Sequence, residues 1–257
     1  MQIVAKNSYI AKSRASKEAL KSANLLKSLN LNVIITGEKG VGKKSLARYI
    51  YAHAPIVDGS FQEELIKAIG TNDRLIIKNF DKIENFEKIK ILLEKKDSRI
   101  IATSSKQLNP KIEDEFFSLK IYIPPLSQRF EDVTALSQMF LDEAKEVFGD
   151  LSSDFDLEKI VFDLSENSYS LRKSVYKAYF KSLLSEDDVM EVLEGIFCDK
   201  LGGGNDYREL LYLFESPLIK CGFEKFGSQL AMSKAFGLNR NTLRKKINEY
   251  GFKESKK

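Results

Sequence analysis

The chain has only one imidazole and two thiols, a single histidine and two cysteines, to offer a metal ion. His53 is far in sequence from Cys198 and Cys221, and the cysteines lack CxxC spacing. Neither a metal site nor a disulfide framework is expected, and both thiols read as reduced structural residues. No stretch approaches the ~18 apolar residues that a membrane span requires, and Met1–Ser8 has no apolar run behind a basic start. A cytoplasmic protein with no membrane partner is therefore expected. Internal repeats and low-complexity blocks are also missing, apart from a Lys-rich end. What is present is a 257-residue chain with 43% hydrophobic residues, enough for one large domain or two smaller ones. Its net charge of +4 is unevenly placed: residues 238–257 hold seven basic side chains against two acidic ones, Glu249 and Glu254. The basic set is Arg240, Arg244, Lys245, Lys246, Lys253, Lys256 and Lys257. Such an excess suits contact with a polyanion, although a solvated Lys-rich tail would look the same by charge alone.

Hydrophobic spacing predicts a helix over Ser13–Asn30, a short buried strand over Asn32–Thr36, and a helix over Lys43–Ala52. Further strands are expected at Arg74–Lys78, Arg99–Thr103 and Leu119–Ile123, with a helix at Phe86–Leu93. This alternation predicts a mainly parallel α/β sheet over residues 1–130. After Pro125 the strand signals stop. Asp132–Phe148, Asp156–Leu164, Ser170–Leu184 and Asp187–Phe197 read as helices, giving a helical subdomain over 131–200. Three consecutive glycines make 201–206 the expected linker, and a last, all-α domain occupies 207–257.

The turn after the first strand reads Gly37-Glu38-Lys39-Gly40-Val41-Gly42-Lys43-Lys44, which fits GxxxxGK between strand and helix. In that context backbone N–H groups and a helix N-terminus cradle phosphates, and Lys43 reaches toward the β- and γ-phosphates. The final position is Lys44, so the hydroxyl that commonly holds Mg²⁺ is missing. A working P-loop ATPase also ends a neighbouring strand in acids, whereas Leu75-Ile76-Ile77 runs into Lys78-Asn79. Asp81 is either a displaced acid or, as is commoner, the first residue of the next turn. His53, Tyr49 and Tyr51 are read as helix-surface and packing residues.

With those residues in view, the chain resembles the AAA+ domain of NtrC-type bacterial enhancer-binding proteins, whose P-loop reads GESGTGKE before an A-R-x-I-H helix. The counterpart here is GEKGVGKK followed by Ala47-Arg48-Tyr49-Ile50-Tyr51. That family often carries Glu where Lys44 stands. Arg99-Ile100-Ile101-Ala102-Thr103-Ser104 is similar to its sensor strand R-I-I-A-A-T. Pro124-Pro125-Leu126-Ser127-Gln128-Arg129 with Glu131-Asp132-Val133 is similar to P-P-L-R-E-R with E-D-I, and Leu171-Arg172 to the V-R of its sensor II helix. The resemblance implies an AAA+-like P-loop fold with a helical lid. It also implies ATP or ADP bound by Gly37, Gly40, Val41, Gly42, Lys43 and Lys44, with Arg172 reporting on the γ-phosphate. The departures weigh against hydrolysis: Lys78-Asn79 replaces the acidic pair, Ser105 replaces the sensor asparagine, and Ile112–Leu119 has no arginine to act as a finger. Only Lys44–Arg74 separates the P-loop from the expected acidic strand, with no GAFTGA loop. By resemblance, remodelling of the enhancer-dependent sigma factor is not expected.

Near the C-terminal end, Phe214 to Ile219 opens a helix with Pro217 in its first turns, and Gly227-Ser228 breaks the chain and caps Gln229–Phe236. Gly237-Leu238-Asn239 makes a tight turn with Asn239 as the next N-cap, a helix-turn-helix signature in which Ser233 and Leu238 suit the crossing. Leu243, Ile247 and Tyr250 share one stripe, so Asn241, Arg244, Lys245 and Asn248 face away as the candidate reading surface. Arg240, Thr242 and Lys246 lie beside it as candidate phosphate contacts. The run Gly237–Ile247 with Tyr250-Gly251 resembles the Fis-type helix-turn-helix, G-I-N-R-G-T-L-R-K-K-L with K-Y-G, a motif also common at the end of NtrC-type activators. That resemblance implies double-stranded DNA as partner, homodimerisation through Tyr207–Phe226, and half-sites about one helical turn apart. The expected function is sequence-specific transcriptional regulation with a degenerate AAA+ domain. An active P-loop ATPase using Asp81 or Glu84, and a nucleoid-type structural DNA binder, are the alternatives.

Overall fold

Strand β1 (Val33–Thr36) is buried along its whole length, and it is the strand around which the first part of the molecule is organised. In the computed structural model, which describes residues 9–149 and 154–252, it pairs in parallel with β4 (Arg99–Ser104) on one side and β5 (Leu119–Tyr122) on the other. The five strands among the described residues follow the order β2-β3-β4-β1-β5, with β3 at Arg74–Lys78 and β2 at Ile56–Asp58. Every recorded pairing is parallel. Inner strands of a parallel sheet are covered on both faces, which is why β1, β3 and β4 are continuous apolar runs.

Side chains alternate across the pleat. Val33 and Ile35 join Ala19, Ala23, Leu46, Ala47 and Ile50 beneath α1 (Arg14–Leu26) and α2 (Lys43–Ile50). Ile34 joins Leu65, Leu75, Ile77, Ile89, Leu93 and Phe116 on the other face, under α3 (Gln62–Thr71), α4 (Phe86–Lys96) and α5 (Pro110–Phe116). Strand β2 and helices α3 and α5 are not among the expected elements. β2 is a three-residue, half-buried edge strand, and α5 is a seven-residue helix started by the Asn109 cap and Pro110. Both are too short for a periodic signal. The last strand is also less buried than its apolar sequence implies, since β5 lies at the sheet edge and only Ile121 within it is buried.

The helical subdomain packs α6 (Phe130–Phe148) on α7 (Ser168–Leu183) through Val133, Phe140, Ala144, Leu171, Val175 and Tyr179. The expected helix at 156–164 is corrected to a single 3-10 turn, Leu157–Lys159, followed by irregular chain. Asp156 accepts from the Glu158 N–H and Asp163 from the Ser165 N–H. Such local side-chain bonds compete with helix propagation.

The chain divides into two compact units, one ending at Leu183 and the other starting at Leu184. The division thus falls one helix before the expected linker at 201–206. Helix α8 (Glu186–Lys200) belongs to the second unit; it has a complete Ser185–Asp188 capping box and no buried residue. The glycine segment is closed on itself, with the Asp206 carboxylate accepting from Gly202 and Gly203 N–H at 3.0 and 2.8 Å. Helices α9 (Asp206–Leu210), α10 (Tyr212–Phe226), α11 (Gln229–Phe236) and α12 (Arg240–Glu249) follow. Ile219, Met232, Leu243 and Ile247 form the small core of this all-α part. Because α10 begins at Tyr212, Pro217 sits inside it, where it cannot donate to the Leu213 carbonyl. Met1–Ser8 and the basic-tail residues Lys253, Glu254, Lys256 and Lys257 lie outside the described residues. No helix among the described residues is long and apolar enough to cross a membrane.

Candidate functional site

The connection from β1 to α2 is the phosphate-loop segment, at the carboxyl end of the central strand where open α/β sheets present their ligand crevice. Its shape requires glycine. Gly37 and Gly40 have φ of 142° and 79°; a Cβ on Gly37 would overlap the Ile123 carbonyl, and one on Gly40 would lie 2.6 Å from the Glu166 carbonyl. Gly42 ends the loop in the left-handed region, and no side chain caps the N-terminus of α2. Lys43 folds back over the loop and donates to the Gly37 and Glu38 carbonyls at 2.6 and 2.5 Å and to Ser105 Oγ at 3.0 Å. Burial pushes its ammonium down to about 8, against the pull of Asp81 and Glu38, with Lys39 adding to the depression. The Ser105 contact puts the residue after β4 beside the P-loop lysine. Lys44 is exposed.

Three side chains hold this loop: Arg129 and Asp132, from the run similar to P-P-L-R-E-R with E-D-I, and Asn167, which the sequence did not single out. Arg129, 2% exposed, donates to the Val41 carbonyl at 3.0 Å, the Pro124 carbonyl at 3.0 Å, Ser16 Oγ at 2.9 Å and Asp132 at 3.1 Å. Asp132 is fully buried and accepts from the Lys12 and Ser13 N–H groups and from the Ser13 and Ser16 hydroxyls. Burial alone would raise its carboxyl, but the Ser16 hydroxyl and these other donors hold it below the usual carboxylate range. Asn167, at φ 56°, donates to Glu38 Oε2 and the Lys39 carbonyl at 3.0 and 2.9 Å and accepts from the Leu126 N–H at 2.6 Å. An asparagine directly before a helix was the one visible signal for it.

Asn167, together with the Ser168 N–H that donates to the Gly40 carbonyl at 3.2 Å, bonds the start of α7 to the loop. Arg172 forms a two-point pair with Glu143 of α6 at 3.1 and 2.7 Å and stacks over the Tyr176 ring. The pair is partly exposed and engages its Nε and one terminal nitrogen.

The residues standing where acids were expected are also engaged. Lys78 pairs with Asp58 of β2 at 3.1 Å, and the Asn79 amide donates to both oxygens of the same carboxylate. Burial works to raise Asp58, yet the Ser60 N–H and hydroxyl, Asn79 and Lys78 together hold it far below the carboxylate range. Asp81 accepts from the buried Ser104 hydroxyl at 2.9 Å, while Glu84 is exposed. Residues 44–74 are filled by α2, β2, α3 and short connections.

The second unit presents a different surface. Ser228 accepts from the Ala231 N–H and Asn239 from the Asn241 N–H, so both expected N-caps form, and Gly237 makes the turn at φ 65°. Buried Gly222 lets α10 approach α11; a Cβ there would lie 2.6 Å from the Phe236 ring. Leu243 and Ile247 face inward, and Arg240, Asn241, Thr242, Arg244, Lys245 and Asn248 are exposed. The Lys246 ammonium is turned onto Glu215 of α10, which also accepts from the Tyr250 hydroxyl at 2.7 Å. Despite burial, these two donors lower Glu215, and the carboxylate in turn pushes Tyr250 up to about 12. Tyr207, Phe214 and Leu218 leave an exposed apolar stripe along α9 and α10.

Residues 10–136 match a family model described as the Sigma-54 interaction domain. A comparison with curated proteins found no match. Among solved structures, the chain is similar to NtrX from Brucella abortus in complex with ATP, at 16% identity and a TM-score of 0.58, covering 95% of this chain and 69% of that one. It is similar to the same protein in complex with ADP at 17% identity and a TM-score of 0.59, covering 96% and 69%. At such identity the likeness is one of fold. The parallel sheet, the P-loop and the match over residues 10–136 together support an AAA+ P-loop domain of the kind found in NtrC-type regulators.

Proposed function

We propose that this chain is a cytoplasmic, sequence-specific DNA-binding transcriptional regulator whose α12 reads the major groove as the second helix of a Fis-type helix-turn-helix. The observation that carries this reading is the face of Arg240, Asn241, Thr242, Arg244, Lys245 and Asn248, exposed on a helix fixed from behind by Leu243, Ile247 and the Lys246–Glu215 pair. Arg is suited to guanine O6 and N7, and Asn to adenine N6 and N7. Tyr207 on α9 and Phe214 and Leu218 on α10 are exposed apolar side chains available to another copy of the chain. They support a homodimer on two half-sites.

The AAA+ domain binds ATP or ADP through Gly37, Gly40, Val41, Gly42, Lys43 and Lys44 without acting as a motor. NtrX, similar in fold, was solved with each nucleotide, which supports binding. Lys78 and Asn79 committed to Asp58, and the lack of arginine in Ile112–Leu119, support the absence of efficient turnover. The compact connection over residues 44–74 supports a regulator that does not remodel the enhancer-dependent sigma factor.

Selection of bound duplexes from a random pool, followed by affinities at fixed salt, tests the reading. A preferred site bound about a thousandfold more tightly than random DNA is expected. Equal affinity for all sequences would favour a structural DNA-bending protein instead. ATP turnover abolished by Lys43→Ala would overturn the non-hydrolytic part.

A further inference from the structure

The P-loop site has lost both of its usual protein donors for a cation. Lys44 stands at the hydroxyl position, and Lys78 and Asn79 stand at the end of β3, tied to Asp58. The donor set at those positions does not fit a divalent ion.

A different set does. Thr36, the last residue of β1, is buried, and its hydroxyl has no hydrogen-bond partner. Leaving a buried hydroxyl unpaired is costly, so an orphan of this kind next to a phosphate loop calls for a reason. In the sheet register Thr36 lies directly across from Ser104 of β4, and laterally paired residues of a parallel sheet project on the same face. The Ser104 hydroxyl in turn donates to Asp81. Asp81 is also the strongest attractive charge acting on Lys43, whose ammonium lies over the loop and on Ser105. Thr36 and Ser104 at the ends of β1 and β4, and Asp81 just after β3, thus border the loop over which Lys43 folds. No group of three or more His, Cys, Asp or Glu side chains among the described residues could hold a metal unaided. Mg²⁺ does not need one: it is commonly held by one or two carboxylates with substrate phosphates and water completing the shell.

We propose that Asp81, seated by the Ser104 hydroxyl beside the unpaired Thr36 hydroxyl and within electrostatic reach of Lys43, supplies the protein carboxylate of a magnesium seat, so that ATP binding at this P-loop is magnesium-linked although the usual donors are gone. Magnesium bound there neutralises phosphate charge; the protein's share is to place one carboxylate and one hydroxyl beside it. The inference rests on the proposed nucleotide binding and adds to it which residue senses the ion.

ATP affinity of the full chain, measured by calorimetry in magnesium and in EDTA, tests it. The natural chain is expected to bind ATP about tenfold or more tightly in magnesium, an increment of the size that metal-supporting residues carry. Asp81→Asn should erase that increment while leaving the affinity in EDTA within about twofold. Thr36→Val, which removes only the hydroxyl, should reduce the increment, and a thermal melt of each variant shows that the fold is intact. An unchanged increment in Asp81→Asn, with ATP still bound by the natural chain, overturns the magnesium seat and leaves the nucleotide reading standing. Lys43→Ala should weaken ATP in both buffers. No ATP binding by the natural chain at millimolar nucleotide overturns both readings together.

Discussion

Around the P-loop Lys43, Arg129, Asn167 and Arg172 are turned onto other parts of the protein, whereas on α12 most charged and polar side chains project outward. Lys43 is held on carbonyls and Ser105, Arg129 on Asp132 and Val41, Asn167 on Glu38 and Lys39, and Arg172 on Glu143. On α12 only Lys246 is satisfied internally, while Arg240, Arg244 and Lys245 are exposed. The same residue types thus serve opposite ends. In the first region they fix the shape of a loop, and in the second they are left to an outside partner. What separates the two cases is whether a carboxylate or carbonyl of the chain lies within reach, and residue type alone does not tell.

The sharpest way to break this contrast is to remove an inward-turned charge. Asp132→Ala leaves Arg129 buried without its carboxylate, and a loss of roughly 3–5 kcal/mol is expected in urea unfolding. A loss below about 1 kcal/mol would mean that the network is not what holds loop, α1 and α6 together. The same group has a pH signature. Because the folded carboxyl of Asp132 titrates below its unfolded value of about 4, its stabilisation is complete above that value and drains away as pH falls through the folded one. Asp132→Asn should therefore flatten the acid limb of the stability curve.

On the outward surface, Arg244→Ala should cost about 1–3 kcal/mol of specific DNA affinity and leave the melting temperature unchanged, with discrimination relaxed at one base pair. Lys246→Ala should do the reverse. Leaving Glu215 with the Tyr250 hydroxyl alone lowers stability by roughly 1–2 kcal/mol, while the salt dependence of DNA binding keeps its slope. A slope reduced by about one would show that Lys246 leaves Glu215 for a phosphate in the complex. The smallest effect belongs to Arg172→Ala. Its pair with Glu143 is partly exposed, so stability should fall by less than about 1 kcal/mol and ATP affinity should hold within about twofold.

Much of the fold was legible because the physics is local. Val33–Thr36, Arg74–Lys78 and Arg99–Ser104 are apolar runs that only a doubly covered sheet can bury, and the glycines of the loop are demanded by φ values that other residues avoid. The Ser228 and Asn239 caps are equally local. What escaped depends on partners far along the chain. Asp132 meets Ser13 and Ser16 across more than a hundred residues, as Asn167 meets Glu38, and no periodicity reports such a meeting. The partners of Arg172 and Lys246 escaped for the same reason: Glu143 and Glu215 pair with them, and neither is a neighbour in sequence.

Helix α8 carries a consequence of another kind. It has its capping box and its full fifteen residues but no fully buried side chain, and Leu193, Ile196 and Phe197 are only half-buried, so its tertiary support is thin. A helix of that length is marginal in water without tertiary support. Its amide protons should trade with deuterium orders of magnitude faster than those of β1, and the first protease cut should fall between Glu186 and Gly203. The boundary between the two units would then be readable in minutes on a gel.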